Sequence, residues 1–270
     1  FCAFVRSPHA HAVIKSVQVA NARSAPGVCA VFTGADMRED GVGKMTPLWL
    51  IPGVEGSQMK EPPRLSMTCD RVRHVGEIVA VVIADSVNSA VDAAELVEVD
   101  YDPLPAVVEV KKAAESNAPQ LHAEAPGNLV LRFQRGAKSP VDAAFAKATH
   151  RISVDIINHR IICAALEPRA VIAQPSPSLG MDGHALTLWS ATQVPHHIRK
   201  LVSEQLALPE SAIRVIAPDV GGGFGTKGKL YPEETILAWA ALKINRSLKW
   251  VSTRSEAFVS DYQARDHDTH

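Results

Sequence analysis

Between residues 221 and 229 the chain reads GGGFGTKGK, with five glycines in the first eight positions. No other stretch constrains the fold as much. Glycine lacks a Cβ and reaches positive φ cheaply, so such a run lets backbone press against a partner. It also forfeits chain entropy, which suits a cofactor cradle better than a plain turn. Upstream, Ile213 to Val220 reads as a buried strand interrupted by Pro218, and downstream Pro232 to Leu242 reads as an apolar helix. A strand, a glycine loop and a helix in that order predict α/β layering with a ligand at the loop.

Two phosphate-binding templates overlap the loop. Gly223, Gly225 and Gly228 fit G-x-G-x-x-G, and Arg254 stands where a partner for a 2′-phosphate could lie. A dinucleotide site, however, needs its helix to begin inside the fingerprint, so that the N-terminus meets the pyrophosphate. Pro232 would break a helix started at Gly225 and belongs in a first turn. Gly223 to Lys229 also fits a P-loop until its last position, where Leu230 cannot ligate magnesium. What remains is a glycine loop with Phe224 at its tip, whose N–H groups suit an anionic or oxo-bearing cofactor. Gln193, in Ala191-Thr192-Gln193, ends a strand-like ALTLWS stretch and offers both donor and acceptor. On spacing alone it serves the ligand or caps the next helix equally well.

Composition narrows the class. Hydrophobic residues make up 46% of 270, enough for a sizeable core in two modest domains or one large one. The formal net charge of −1 gives no field for nucleic acid or anionic lipid. The adjacent Lys111 and Lys112 read as a solvated turn. No apolar run reaches bilayer length, and the opening residues, which begin with Phe1, lack a signal-peptide layout, so the chain reads as a fragment. Cys2, Cys29, Cys69 and Cys163 form no CxxC and read as reduced, buried thiols of a cytoplasmic protein. His9, His11, His196 and His197 lack carboxylates at metal-ligand spacing.

The pattern along the chain is mixed α/β. Strands are expected at Ala12 to Val19, Val28 to Thr33, Glu77 to Ala84 and around Val97 to Tyr101, with a short helix from Ala20. Ser86 should cap a helix with Val87, Ala90, Val91 and Ala94 inward. Proline-rich residues 102 to 128 read as a linker, giving domains 1–110 and 136–270 joined by 111–135. Ser139 and Asp142 suggest a capping box, with strands following near 149–158, 168–174, 185–190 and Leu248 to Ser252. Pro195 should open a helix burying Ile198, Leu201 and Val202. Glu167-Pro168-Arg169 reads as a structural corner with an ion pair, and Glu233 and Glu234 as dipole partners of a helix start.

Five segments together resemble one family: FVRSPHAHAVIKSVQV, VRHVGEIVAVVIADSVNSAVDAAELVEVDYDPLPAVV, LEPRAV, LTLWSATQVPH and DVGGGFGTKGKLYPEE. It is the molybdenum-binding large subunit of the xanthine dehydrogenase, aldehyde oxidase and carbon monoxide dehydrogenase group. The resemblance implies an α/β-hammerhead domain followed by the truncated first part of the molybdenum-cofactor-binding domain. It implies that Gln193 hydrogen-bonds an oxo ligand of molybdenum, and that Gly222, Gly223, Phe224 and Gly225 pack against molybdopterin, in its cytosine dinucleotide form. It implies oxidation of an aldehyde, a heteroaromatic ring or a related small molecule, with water as oxygen source. Iron–sulfur clusters and FAD would sit in partner subunits or domains of an oligomeric complex. Gly228 stands where purine-oxidising relatives place a glutamate, which argues against a purine. The general base is expected beyond His270, so none of the residues here is assigned a catalytic role and the fragment alone should be inactive. An NADP-dependent oxidoreductase using Gly223, Gly225, Gly228 and Arg254, or a noncatalytic assembly pair, are the alternatives.

Overall fold

A computed structural model describes residues 1–47, 49–176 and 183–270. The chain forms two compact units. The first comprises 1–46, 63–106 and 162–262; the second comprises 47–62, 107–161 and 263–270.

In the first unit the chain begins with β1 (Cys2–Arg6), β2 (Ala12–Gln18), α1 (Ala20–Ser24), β3 (Val28–Thr33) and α2 (Gly34–Glu39). It continues with β4 (Arg71–Val72), β5 (Ile78–Ala84), α3 (Val87–Glu95) and β6 (Glu98–Pro103). Strand β5 runs antiparallel between β1 and β3, and β2 lies between β4 and β6. Every residue of β5 is buried, as an apolar run without polar alternation requires. Val81 and Ile83 face one apolar cluster, while Ala80 and Val82 face another under α1 and α3.

The Ser86 hydroxyl caps α3 by accepting the Ser89 N–H at 3.0 Å. The expected inward face is corrected. Ala90 and Ala93 are buried, whereas Val87 is 54% exposed and Val91 is exposed too. Small residues let the helix axis sit close on β1 and β5, and the bulkier valines turn outward.

The second unit contains α4 (Val110–Ala113), α5 (Lys138–Lys147) and β7 (Ile156–Asn158). Lys111 and Lys112 lie in α4 rather than in a turn, paired with Asp268 and Glu109. Helix α5 starts one residue before Ser139 with no side-chain cap, and Asp142 instead pairs with Lys138. The expected strand at 149–158 shrinks to β7.

The first unit then resumes with β8 (Ala170–Pro175), β9 (Leu186–Ser190) and α6 (Pro195–Leu206). After these come β10 (Ile213–Ile216), α7 (Pro232–Ile244), β11 (Leu248–Val251) and α8 (Arg254–Ser260). The last strand, β12 (His267–Thr269), returns to the second unit and pairs with β7. The sheet order β10-β9-β8-β11 has β10 parallel to β9 and the other pairs antiparallel. Strand β10 stops at Ile216, short of the expected Val220, because Pro218 cannot donate to a ladder.

The main apolar cluster of the first unit joins its early and late segments. Cys2, Met37 and Ile78 belong to the same cluster as Leu188, Ile198, Trp239 and Trp250. Phe4 meets Trp250 edge-on at 5.4 Å, and Phe32 meets Trp239 at 5.0 Å. The cysteines are free, as expected, but only Cys2 is buried; Cys29 is exposed and the others half-buried. Burial pushes the Cys2 thiol up to about 12, so it packs as an inert apolar group.

Candidate cofactor site

The loop between β10 and α7 is shaped by left-handed backbone. Gly222, Phe224 and Gly225 have φ of 100°, 49° and 83°. For Phe224 that geometry is sterically costly. Its ring stands outward, 75% exposed, close above Gly222. The Thr226 N–H bonds back to the Gly223 carbonyl at 2.8 Å, and the Gly228 N–H to that of Gly225 at 3.2 Å. The N–H groups of Gly223, Phe224 and Gly225 have no acceptor among the described residues. Three successive N–H groups without an acceptor, with left-handed backbone at Phe224 and Gly225, are a donor set of the kind that binds anionic oxygen.

Gln193 lies against this loop. A Cβ on Gly223 would fall 2.5 Å from its carboxamide, so any larger residue there would push the Gln193 side chain away. The Gln193 N–H donates to the Lys227 carbonyl at 2.9 Å, and the Thr192 hydroxyl reaches the same oxygen at 3.2 Å. Thr192, not Gln193, supplies the side chain for the turn into α6, accepting the Val194 N–H at 3.2 Å. The carboxamide of Gln193 makes no hydrogen bond among the described residues and is exposed. The structure thus brings Gln193, Gly222, Gly223, Phe224 and Gly225 to one place.

Helix α7 begins at Pro232, as the proline requires, too late to present its N-terminus inside the glycine motif. Arg254 donates to the carbonyls of Ala165 and Leu166 and is not held at the glycine loop. Both facts weigh against a dinucleotide site. Among the described residues no group of His, Cys, Asp and Glu could hold a metal ion directly.

Behind the loop lies a charged core that sequence reasoning found only in part. Arg169 and Glu233, 3% and 1% exposed, form a two-pronged pair at 2.7 and 3.0 Å. Arg6 reaches the same carboxylate at 2.7 Å, and Arg169 also holds Asp261. Its guanidinium stacks 3.7 Å from the Tyr231 ring centre. Burial would raise the Glu233 carboxyl, but Arg169 and Arg6 together hold it down at about 2. Glu234 closes a capping box on Tyr231 and accepts the Ser190 hydroxyl at 3.0 Å. Burial, with Glu233 adding to it, lifts its carboxyl to about 7. Glu233 is therefore an ion-pair anchor rather than a plain helix-dipole partner. The corner at Glu167-Pro168-Arg169 holds three ion pairs, Arg169 with Glu233 and Asp261, and Glu167 with Lys227. Lys227, within the glycine loop, is buried and faces Glu167.

Taken together, these elements describe a mixed α/β protein with a donor-rich cradle for an anionic or oxo-bearing group. The molybdopterin cofactor-binding domain model matches residues 121–270, and the aldehyde oxidase and xanthine dehydrogenase a/b hammerhead domain model matches 1–105. The chain belongs to this aldehyde oxidase and xanthine dehydrogenase family, with the hammerhead domain preceding molybdopterin-binding sequence. It is 38% identical to the carbon monoxide dehydrogenase large chain of Afipia carboxidovorans, over 98% of this chain and 32% of that one. It is 34% identical to the nicotine 6-hydroxylase large subunit of Paenarthrobacter nicotinovorans, over 97% and 31%. The fold matches quinoline 2-oxidoreductase from Pseudomonas putida 86 with a TM-score of 0.84 and 35% identity, over 98% and 32%. The chain spans about a third of the length of the curated relatives it matches.

Proposed function

We propose that this chain is the hammerhead and first cofactor-binding part of a molybdenum hydroxylase. Its domains would run from 1 to 110 and from 136 onward, with 111–135 as linker. The observation that carries the reading is the apposition of the unpartnered Gln193 carboxamide and the free N–H groups of Gly223, Phe224 and Gly225. The donor set fits a molybdenum–molybdopterin group, in which Gln193 would hold an oxo ligand and Gly222, Gly223, Phe224 and Gly225 would line the approach. When bound, the cofactor supplies two-electron oxidation of a small molecule with water as oxygen source. The chain's own part is to fix donors where oxo charge lies, in a frame that needs no reorganisation.

Relatives named for carbon monoxide, nicotine and quinoline support a small-molecule substrate. Gly228 in place of a glutamate weighs against a purine. The reading includes the cytosine dinucleotide form of the cofactor, an iron–sulfur partner, an FAD partner and an oligomeric complex, for which similarity to large subunits of molybdenum hydroxylases is the support. Among the described residues no helix is long and apolar enough to cross a membrane. A cytoplasmic location is part of the same proposal.

The test is metal analysis with pterin fluorescence on the whole protein, purified as its native complex. Near-stoichiometric molybdenum and pterin are expected, and Gln193→Ala or Gly223→Ala should lower both. A well-folded complex made with a working cofactor pathway, yet empty of both, refutes the reading.

A further inference from the structure

The glycine loop is tied at both ends to one side chain. Glu167 Oε2 accepts the Gly221 N–H at 2.8 Å and the Lys227 ammonium at 2.6 Å. The Glu167 N–H donates to the Gly221 carbonyl at 3.2 Å, and Lys227 Nζ also donates to the Glu167 carbonyl at 2.9 Å. A Cβ on Gly221 would fall 2.6 Å from the Glu167 Cβ, so the loop's first residue lies flat on Glu167. From the far end, the Lys227 carbonyl takes both the Gln193 N–H and the Thr192 hydroxyl. Lys227 therefore faces the loop's start with its side chain and Gln193 with its main chain.

Lys227 is 3% exposed, and both acceptors of its ammonium among the described residues belong to Glu167. A buried ammonium is held where its counter-charge is, because leaving it unpaired is strongly unfavourable. Burial alone would raise the Glu167 carboxyl. The Lys227 hydrogen bond, the Gly221 N–H and the Lys227 charge outweigh it and hold the group below its usual range. The contact favours the charged form of Glu167. It fixes the span of a glycine-rich segment that would otherwise sample many conformations.

We propose that Glu167 and Lys227 are a positioning pair for the cofactor loop. Without touching the cofactor, they hold the free donors of Gly223, Phe224 and Gly225 in register with the Gln193 carboxamide. The inference rests on the reading of this site as a molybdenum-cofactor cradle.

The experiment uses the whole protein in its native complex, as Glu167→Gln, Lys227→Met, the double variant and Lys227→Arg. Molybdenum and pterin per polypeptide are measured together with hydrogen exchange at the Thr226 and Gly228 amides. Lys227→Met spares the Gly221 acceptor, so it tests the strap without removing a backbone bond. Glu167→Gln and Lys227→Met should each lower cofactor content at least tenfold and speed exchange at both amides at least tenfold, with β8 and β9 amides unchanged. The double variant should be no worse than the worse single one, and Lys227→Arg should recover at least half the cofactor. Wild-type cofactor content in Lys227→Met overturns the proposal, as does wild-type loop exchange or acceleration spread equally over β8 and β9. If Gln193→Ala and Gly223→Ala also keep full molybdenum, the cofactor reading itself fails. If they lose it while Lys227→Met does not, only the positioning role fails.

Discussion

Replacing Arg169 with methionine removes the cation that Glu233 faces and leaves a carboxylate buried in the centre of the first unit. Breaking one side of a buried pair typically costs about 3–5 kcal/mol. The lower half of that range applies, because Arg6 still reaches Glu233 at 2.7 Å. Loss of stacking on Tyr231 adds about 1 kcal/mol. With a urea m-value of about 2 kcal/mol/M, the midpoint should fall by roughly 2–2.5 M. Tryptophan fluorescence reports the transition, since Trp250 lies 5.2 Å from the guanidinium.

The pH dependence follows from the carboxylate. In the wild type the Glu233 carboxyl sits near 2, below its ordinary 4.5. Its contribution is therefore present above the ordinary value and lost as pH falls through about 2. In Arg169→Met burial meets only Arg6, the carboxyl rises, and the deficit relative to wild type should shrink between pH 7 and pH 4. Arg169→Met/Glu233→Gln should be more stable than Arg169→Met alone, because the fully buried Glu233 charge is gone, while Asp261 lacks its Arg169 partner in both. A single variant within 1 kcal/mol of wild type refutes this account of the buried network, as would a double variant less stable than the sum of its parts.

Other outcomes can be checked by the same unfolding measurement. The Glu234 carboxyl is raised to about 7, so wild-type stability should decline as pH rises from about 4.5 to about 7; Glu234→Gln should flatten that slope. Gly222→Ala, at φ 100°, should cost about 1–3 kcal/mol from backbone strain alone. Ser86→Ala should cost about 1 kcal/mol by removing the cap on Ser89, with no change in cofactor content.

The fold was legible wherever local physics acts alone. The apolar run of β5, the Ser86 cap, the Pro195 and Pro232 helix starts and the glycine loop all announce themselves within a few residues. Gln193 became a candidate because it ends a strand, and its choice over helix capping came from the family motif. What stayed hidden depends on distant partners. Whether Val87 or Ala93 faces inward is decided by how closely α3 must approach β1 and β5, which periodicity does not encode. The burial of Lys227 could not be read locally because its partner, Glu167, lies far away along the chain. Arg6 reaches Glu233 across almost the whole first unit for the same reason. A signal existed in LEPRAV and YPEE, each pairing apolar neighbours with charge, but only the fold joins them.

The shared core of the first unit also has a consequence for synthesis. The clusters around Ala80 and Val82, and around Ile14 and Val79, close using residues before 100 and can form as soon as that segment leaves the ribosome. The opposite surface, with Cys2, Ile78, Val81 and Ile83, waits for Trp239, Leu248 and Trp250. At about 5–20 residues per second that is a delay of roughly 10–30 s. For that interval the nascent polypeptide presents an apolar face with nothing to cover it. The first segment should therefore be a client of ribosome-associated chaperones, and a translational pause placed before residue 239 should lower the yield of soluble protein.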